Sequence, residues 1–418
     1  MIMHLDLDCF FVSAERTRNA TLRGVPTVVA NRNDTAIFGA DKLGASKTAH
    51  EACGVFSGAC YYNKFGGSWE SHFQENGRIR GMVVAASYEA RSYEIKTGLA
   101  LGEALKLCPK LKILPTDMPF YMSLSHSLAE YLESRIPKLE QFSIDEFFGE
   151  LDGFVKPDET EKYIRHLQAA IYEEFSLPVT IGASTNKSIA KLAVKSAKPF
   201  GVRVVKAEEI AQFIDDKPLK MVAGIGRQTA LRLKRYGAST LGDLVRSPTL
   251  LQSLGKNGQM LLEELRGKAH SVVMHNSERK QIGISRVFDP LIDRKELLRR
   301  AVILCGHLSY NILRHKKEPT SFNFVIGYDR FGYEHAKVNS DRVFSEALLV
   351  AIARETLKTI DKYSTEAVVY MAVSAGDFRS KDHTDELLNW QADRKNRALS
   401  NALQIVRSKY GYSAIRLP

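Results

Sequence analysis

Residues His4-Leu5-Asp6-Leu7-Asp8-Cys9-Phe10-Phe11 carry two carboxylates into an apolar stretch almost at the N-terminus. Leu5 and Leu7 alternate with Asp6 and Asp8, the period of a buried strand, and three apolar residues follow. Carboxylates on such a strand are costly unless a cation or hydrogen bonds compensate them. A second acidic pair stands in Ser143-Ile144-Asp145-Glu146, again beside apolar residues. The two stretches are expected to be neighbouring strands whose carboxylates share divalent metal. Alternation puts Asp6 and Asp8 on the same face of a strand. Asp145 and Glu146 point apart unless a bend or bulge intervenes. Either pair alone reads as solvated acids at a strand end; the two together favour a metal site. Carboxylates suit Mg²⁺, and two such ions about 3.5–4 Å apart serve phosphoryl transfer.

The rest of the chain has to supply a reason for metal there. Its 418 residues exceed one compact core and predict three or four domains. A net charge of +11 and a pI near 9.2 favour a polyanionic partner, nucleic acid before an anionic membrane surface. No apolar run approaches the roughly 20 residues of a membrane span. Asp6 and Asp8 interrupt any signal-peptide core, so a cytoplasmic protein is expected. Five cysteines do not make a disulfide scaffold.

In chain order, the first strand runs into a helix expected to begin near Val12. Strands follow at 25–29 and 82–86, separated by a Gly-, Ser- and aromatic-rich stretch, 32–81, without a clear period. Helical spacing covers 119–135, and two strand segments flank the second acidic pair. Asp158 is placed to cap a helix through Phe175, with Glu161 completing a capping box. Asn186 is placed to cap a helix ending before Pro199. These elements predict an α+β unit, helices on one face of a mostly antiparallel sheet. Residues 207–275 read as basic helices, 273–280 as a polar linker, 281–375 as β-α-β-β-α-β, and 384–410 as a helical tail.

Three further constellations bear on chemistry. Tyr88-x-x-Arg91 with Lys198 offers a neutral donor, a planar fork and a point charge to phosphate oxygens, or forms a surface salt-bridge set. Val222-Ala-Gly-Ile-Gly226 lies between helical segments and is followed by Arg227, Arg232, Lys234 and Arg235. Glycines at a helix N-terminus beside basic residues suit a helix-hairpin-helix grip on a DNA backbone. His50, Cys53, Cys60 and His72 fit no standard zinc spacing and read as ordinary loop residues.

These segments, with Ala104-Leu-Lys-Leu-Cys-Pro109 and Ala197-Lys-Pro199, stand in the order found in Y-family translesion DNA polymerases, and the chain most resembles their DinB, or DNA polymerase IV, branch. The resemblance spans most of residues 1–275. It implies a multidomain right-hand polymerase with a ferredoxin-like palm (1–18 and 118–206) and fingers (19–117, with an insertion at about 32–81). A helix-hairpin-helix thumb (207–272), a linker (273–280), a little finger (281–380) and a helical tail (381–418) complete it. It implies Asp6, Asp145 and Glu146 as catalytic metal ligands for two Mg²⁺, with the Leu7 carbonyl as a further ligand and Asp8 in support. Phe11 matches the steric gate against a 2′-hydroxyl. Phe10, Phe11, Tyr88, Arg91 and Lys198 would face the dNTP. Gly224, Gly226, Arg227, Lys234 and Arg286 would contact primer-template DNA. The expected enzyme is a monomer of low fidelity that tolerates damaged templates.

The sequence also departs from the family. The 32–81 insertion replaces a much shorter loop. It carries Tyr61, Tyr62, Phe65 and Trp69 beside Lys42, Lys47 and Lys64, a set suited to unpaired template bases or to packing on the fingers. Met82 and Val84 are bulkier than usual for a roof over the nascent pair, Ala85 replaces a usual Thr, and Phe147 stands where a small residue is common. Ser413-Ala-Ile-Arg-Leu-Pro418 is not a recognisable sliding-clamp peptide. A DNA-binding module on an inactive palm, and a metal-dependent nuclease or cyclase-like phosphotransferase, are the competing readings.

Overall fold

The computed structural model describes residues 1–32, 37–38, 48–53, 56–61, 68–75, 77–268, 272–275, 279–379, 390–410 and 414–415. Its centre is a five-stranded sheet in the order Val202–Val204, Val179–Ser184, Ile2–Leu7, Glu146–Glu150, Lys138–Gln141. Only the pair Val179–Ser184 and Val202–Val204 is parallel. The acidic strand is therefore the middle strand, and the two acidic stretches are neighbours: Asp6 stands opposite Glu146.

Alternation sorts the strand's side chains between two faces. Met3, Leu5 and Leu7 join Phe147, Ile181 and Ala183 in the main core, under the helices Met118–Glu133 and Thr160–Phe175. Phe147 thus fits beside the acidic pair by turning into the opposite face. His4, Asp6, Glu146 and Thr180 share the other face by register. A third helix, Lys187–Ala197, covers part of that face, so helices do not lie on one face alone. Gly182 admits it: a Cβ there would stand 2.5 Å from the Ala190 carbonyl oxygen.

Two local expectations are corrected. The strand stops at Leu7, Cys9 takes a left-handed conformation (φ 48°), and the helix Phe10–Arg18 starts two residues before Val12. Phe10 and Phe11 therefore belong to a helix. Asp158 caps nothing: it lies in a 3₁₀ turn, Pro157–Glu159, that feeds the helix starting at Thr160. The Asn186 cap is present, its side chain accepting from the Ile189 N–H at 3.0 Å.

A second sheet, Met82–Ala86, Thr27–Asn31, Lys112–Pro115, has its own core of Val28, Val83, Ile95 and Leu101. Phe73, at the end of the insertion, is buried there, with Trp69 packed beside it. Helices between Ile210 and Leu265 form a third core with Ile189 and Leu192. The β-α-β-β-α-β pattern forms a four-stranded sheet in the order Gln281–Leu291, Val368–Phe378, Pro319–Tyr328, Gly332–Asn339. Its core includes residues of the helices Arg294–Arg314 and Glu346–Ile360. The helix Trp390–Tyr410 docks through a buried ion pair, Arg407 to Glu346 at 2.5 Å. The expected linker is docked where it is described: Val273 packs on Ile2 and Phe148, and the Met274 N–H donates to Glu140 at 2.7 Å.

The side chains of His50, Cys53, Cys60, Tyr61, Tyr62, Phe65, Lys42, Lys47 and Lys64, and residues Ser413 and 416–418, lie outside the described residues. Among the described residues no helix is long and apolar enough to cross a membrane.

Candidate active site

The turn Phe142–Asp145 brings the second acidic pair to the first strand. The Phe142 and Ser143 N–H groups both donate to the Glu146 carbonyl, at 3.0 and 3.1 Å. The Leu7 N–H donates to the Asp145 carbonyl at 2.9 Å. This is the bend that two adjacent acids need to serve one site. The Ser143 hydroxyl donates to Asp145 Oδ1 at 2.5 Å.

Basic residues of the covering helix Lys187–Ala197 and of its C-terminal end meet these acids. Lys198 pairs with Asp6 and stands 3.9 Å from Asp8. Lys191 pairs with Glu146 at 2.7 Å. Burial pushes the Asp6 carboxyl up to about 7; Lys198 opposes this, and the charges of Asp145 and Glu146 add to it. His4 lies buried 3.8 Å from Glu146, and burial first, then the nearby lysines, holds its pKa well below the usual value. It is a neutral wall under the acidic group.

The donor set fits a hard divalent cation in chemistry: carboxylates, one of them desolvated and repelled by two others. Among the described residues no three potential ligands are already gathered around one point. Lys198 and Lys191 supply positive charge to Asp6 and Glu146.

The cavity beside this group has a volume of about 190 Å³. Asp6, Leu7, Phe10, Phe11, Arg91, Asp145 and Lys198 line it, with Val84 and Ala85 of the second sheet. Phe11 is stacked on Tyr121, 4.5 Å between centroids and 15° between planes. Tyr121 is locked by its hydroxyl, which donates to Glu15 at 2.7 Å. Phe10 is almost wholly buried beside it. Met82 borders a different cleft, with Arg80 and Phe288.

Tyr88 and Arg91 are the first and last residues of a helical turn capped by Ser87, whose hydroxyl accepts from the Ala90 N–H at 3.1 Å. The Arg91 guanidinium lies 4.9 Å from the Tyr88 ring, and its Nε donates to the Ala86 carbonyl at 3.1 Å. The Tyr88 hydroxyl donates to Asp8 Oδ1 at 3.1 Å, and burial, with Asp8 nearby, pushes the phenol pKa up.

Asp8 is the residue whose weight the sequence understates. It is 2% exposed and accepts from Tyr88, from the Thr180 hydroxyl at 2.8 Å and from the Phe200 N–H at 2.7 Å. It ties the second sheet, the central sheet and the Lys198 segment together. Asp8→Ala orphans three donors, of which the Thr180 hydroxyl is in the interior. The expected loss is about 2–4 kcal/mol of stability, read by urea denaturation. Lys191 is the other residue missed; only the fold brings it to Glu146.

Gly224, Gly226, Arg227 and Lys234 stand apart from the cavity, on the helical unit. Gly224 has φ +94°, and a Cβ at Gly224 or Gly226 would meet nothing within 4 Å. Gly226 precedes the helix Arg227–Arg235, with Arg227 and Lys234 exposed on it. Arg286 lies on the first strand of the four-stranded sheet and donates to the Ser285 carbonyl at 2.7 Å. His72 packs edge-on against Phe73, and burial and Arg32 lower its pKa to about 4.

Residues 5–195 match the model of the impB/mucB/samB family. A solved Y-family DNA polymerase chimera of Dbh and Dpo4 superposes with a TM-score of 0.72 at 21% identity, covering 90% of this chain and 98% of its own. The chain has the fold of a Y-family DNA polymerase. A Dbh DNA polymerase in an insertion ternary complex matches with a TM-score of 0.56 at 20% identity, over 90% of this chain and 98% of its own. Among sequence relatives, a DNA polymerase IV of Pasteurella multocida is 28% identical over 78% of this chain and 79% of its own. One of Alkaliphilus oremlandii is 25% identical over 99% of this chain and 97% of its own.

Proposed function

We propose that the chain is a template-directed translesion DNA polymerase, adding deoxynucleotides to a primer 3′-hydroxyl with low fidelity and tolerance of damaged templates. The observation that carries this is the pairing of Asp6 with Glu146 across the palm, with Asp145, Lys198, Arg91 and Phe11 around one cavity. We assign the palm to 1–18 and 118–206, the fingers to 19–117, the thumb to 207–272 and the little finger to 281–380.

Asp6, Asp145, Glu146 and the Leu7 carbonyl would hold two Mg²⁺, which supply Lewis-acid activation of the attacking hydroxyl and charge for the leaving oxygen. Every other part of the reaction falls to the chain. Lys198 exchanges its carboxylate partner for phosphate when nucleotide enters, and Arg91 adds its planar fork. Tyr88, with a hydroxyl that does not ionise at neutral pH, donates a neutral hydrogen bond. Phe11 occupies the place of a 2′-hydroxyl. The chemistry is then mainly positioning and charge stabilisation. The enzyme acts as a monomer in the cytoplasm.

Duplex DNA is held through its phosphates by the backbone at Gly224 and Gly226, by Arg227 and Lys234, and by Arg286 on the little finger. Arg227→Ala with Lys234→Ala is expected to weaken primer-template binding about tenfold and to flatten the log–log salt slope by about 2, equally across sequences. Fluorescence anisotropy over a salt series reads both. The function itself is tested by primer extension with Mg²⁺ and dNTPs: complementary extension supports it, and primer degradation identifies a nuclease.

A further inference from the structure

Ile37 and Phe38 come from the insertion in the fingers, yet they belong to the core of the little finger. They are 1% and 2% exposed. The Phe38 ring meets Phe288 edge-on, 5.8 Å between centroids and 89° between planes. The Arg300 guanidinium lies 4.8 Å from both rings, and its Nε donates to Glu296 at 2.8 Å. Arg299 donates to the Phe38 carbonyl at 2.8 Å. A second contact joins the same two domains where the insertion ends. One nitrogen of Arg80 donates to both Asp289 carboxylate oxygens, each at 2.6 Å.

These contacts differ in kind. Arg80 and Asp289 are 35% and 65% exposed, and such a pair alone contributes little. Phe38 and Ile37 are buried as deeply as core residues. Domains joined by small, polar interfaces move relative to one another by default. Here the fingers lend two apolar side chains to the core of another domain. The connector is docked too, with Val273 against Ile2 and Phe148.

We infer that Ile37 and Phe38 form an intramolecular clasp that fixes the little finger against the fingers before any DNA is bound. Its partner is the groove between Phe288 and Arg300 of the same chain. The clasp presets the binding surface, so DNA does not have to select a minor arrangement. It also gives the insertion a task away from the catalytic cavity.

The test is single-molecule energy transfer on the full-length protein without DNA, with dyes at the exposed positions Lys110 of the fingers and Lys358 of the little finger. The wild type is expected to show one distance. Phe38→Ala combined with Arg80→Glu is expected to raise the undocked fraction about a hundredfold, the scale of a large-to-small core truncation. Added primer-template DNA should restore the docked distance. Arg80→Glu alone sets two acids face to face and should raise the undocked fraction several-fold; adding Asp289→Arg should reverse it. That pair of variants decides the matter if Phe38→Ala lowers the melting temperature of the little finger itself. Several distances in the wild type, or an unchanged distribution in the double variant and in Arg80→Glu, would overturn the clasp.

Discussion

Alanine at both Asp145 and Glu146 is expected to lower single-turnover nucleotide incorporation by about a thousandfold or more, with primer-template affinity held within about threefold. The two effects separate because Asp145 lines the cavity and Glu146 stands opposite Asp6, whereas the proposed DNA contacts lie on the thumb and little finger. Stability is the discriminating control. Burial, opposed by Lys198 and reinforced by the charges of Asp145 and Glu146, pushes the Asp6 carboxyl up to about 7, so those two charges add to the cost of ionising Asp6 in the metal-free fold. Removing both charges relieves Asp6 and frees Lys191, a side chain 20% exposed that can turn to solvent. The metal-free variant should therefore melt no lower than the wild type at pH 8. Mg²⁺ or Mn²⁺ should raise the melting temperature of the wild type and leave that of the variant unchanged. A variant that melts much lower, with DNA binding lost in step, would make the pair structural.

Phe11→Ala is expected to admit ribonucleotides, cutting discrimination against a 2′-hydroxyl by about a hundredfold to a thousandfold. The size follows from rigidity. A gate excludes only if it cannot swing aside. Phe11 is stacked on Tyr121, Phe10 stands behind it with 5.6 Å between centroids, and Glu15 anchors the Tyr121 hydroxyl. Steady-state incorporation of dNTP and rNTP opposite the same template base gives the ratio. Tyr121→Ala leaves Phe11 in place without its stacking partner and should give a smaller loss, on the order of tenfold. Unchanged discrimination in Phe11→Ala would place the gate elsewhere.

The legible and illegible parts of this site have separate physical causes. Alternation in His4–Asp8 sufficed to predict a buried acidic strand, and a second acidic stretch predicted its neighbour. Both are short-range patterns. The end of that strand was not legible, because Cys9 takes a left-handed backbone conformation with no glycine to announce it. Phe10 and Phe11 consequently read as strand. The Asn186 cap was visible from residue type and spacing, yet the same logic failed at Asp158, where Pro157 opens a 3₁₀ turn first. Asp8 and Lys191 take their roles from partners far away in sequence: Thr180 and Phe200 for one, Glu146 for the other. Phe38 gave no signal at all. An aromatic residue in an aperiodic insertion carries no mark of the domain that will bury it.

The most direct measurement is extension of a labelled primer by the full-length protein with Mg²⁺ and one dNTP at a time, opposite each of the four template bases. The account predicts addition chiefly of the complementary deoxynucleotide at every template base, with misinsertion visible at long times. It also predicts no addition by the Asp145→Ala, Glu146→Ala variant that still binds the same DNA. Absence of extension by the wild type under conditions where it binds primer-template, or addition that ignores the template base, would contradict it.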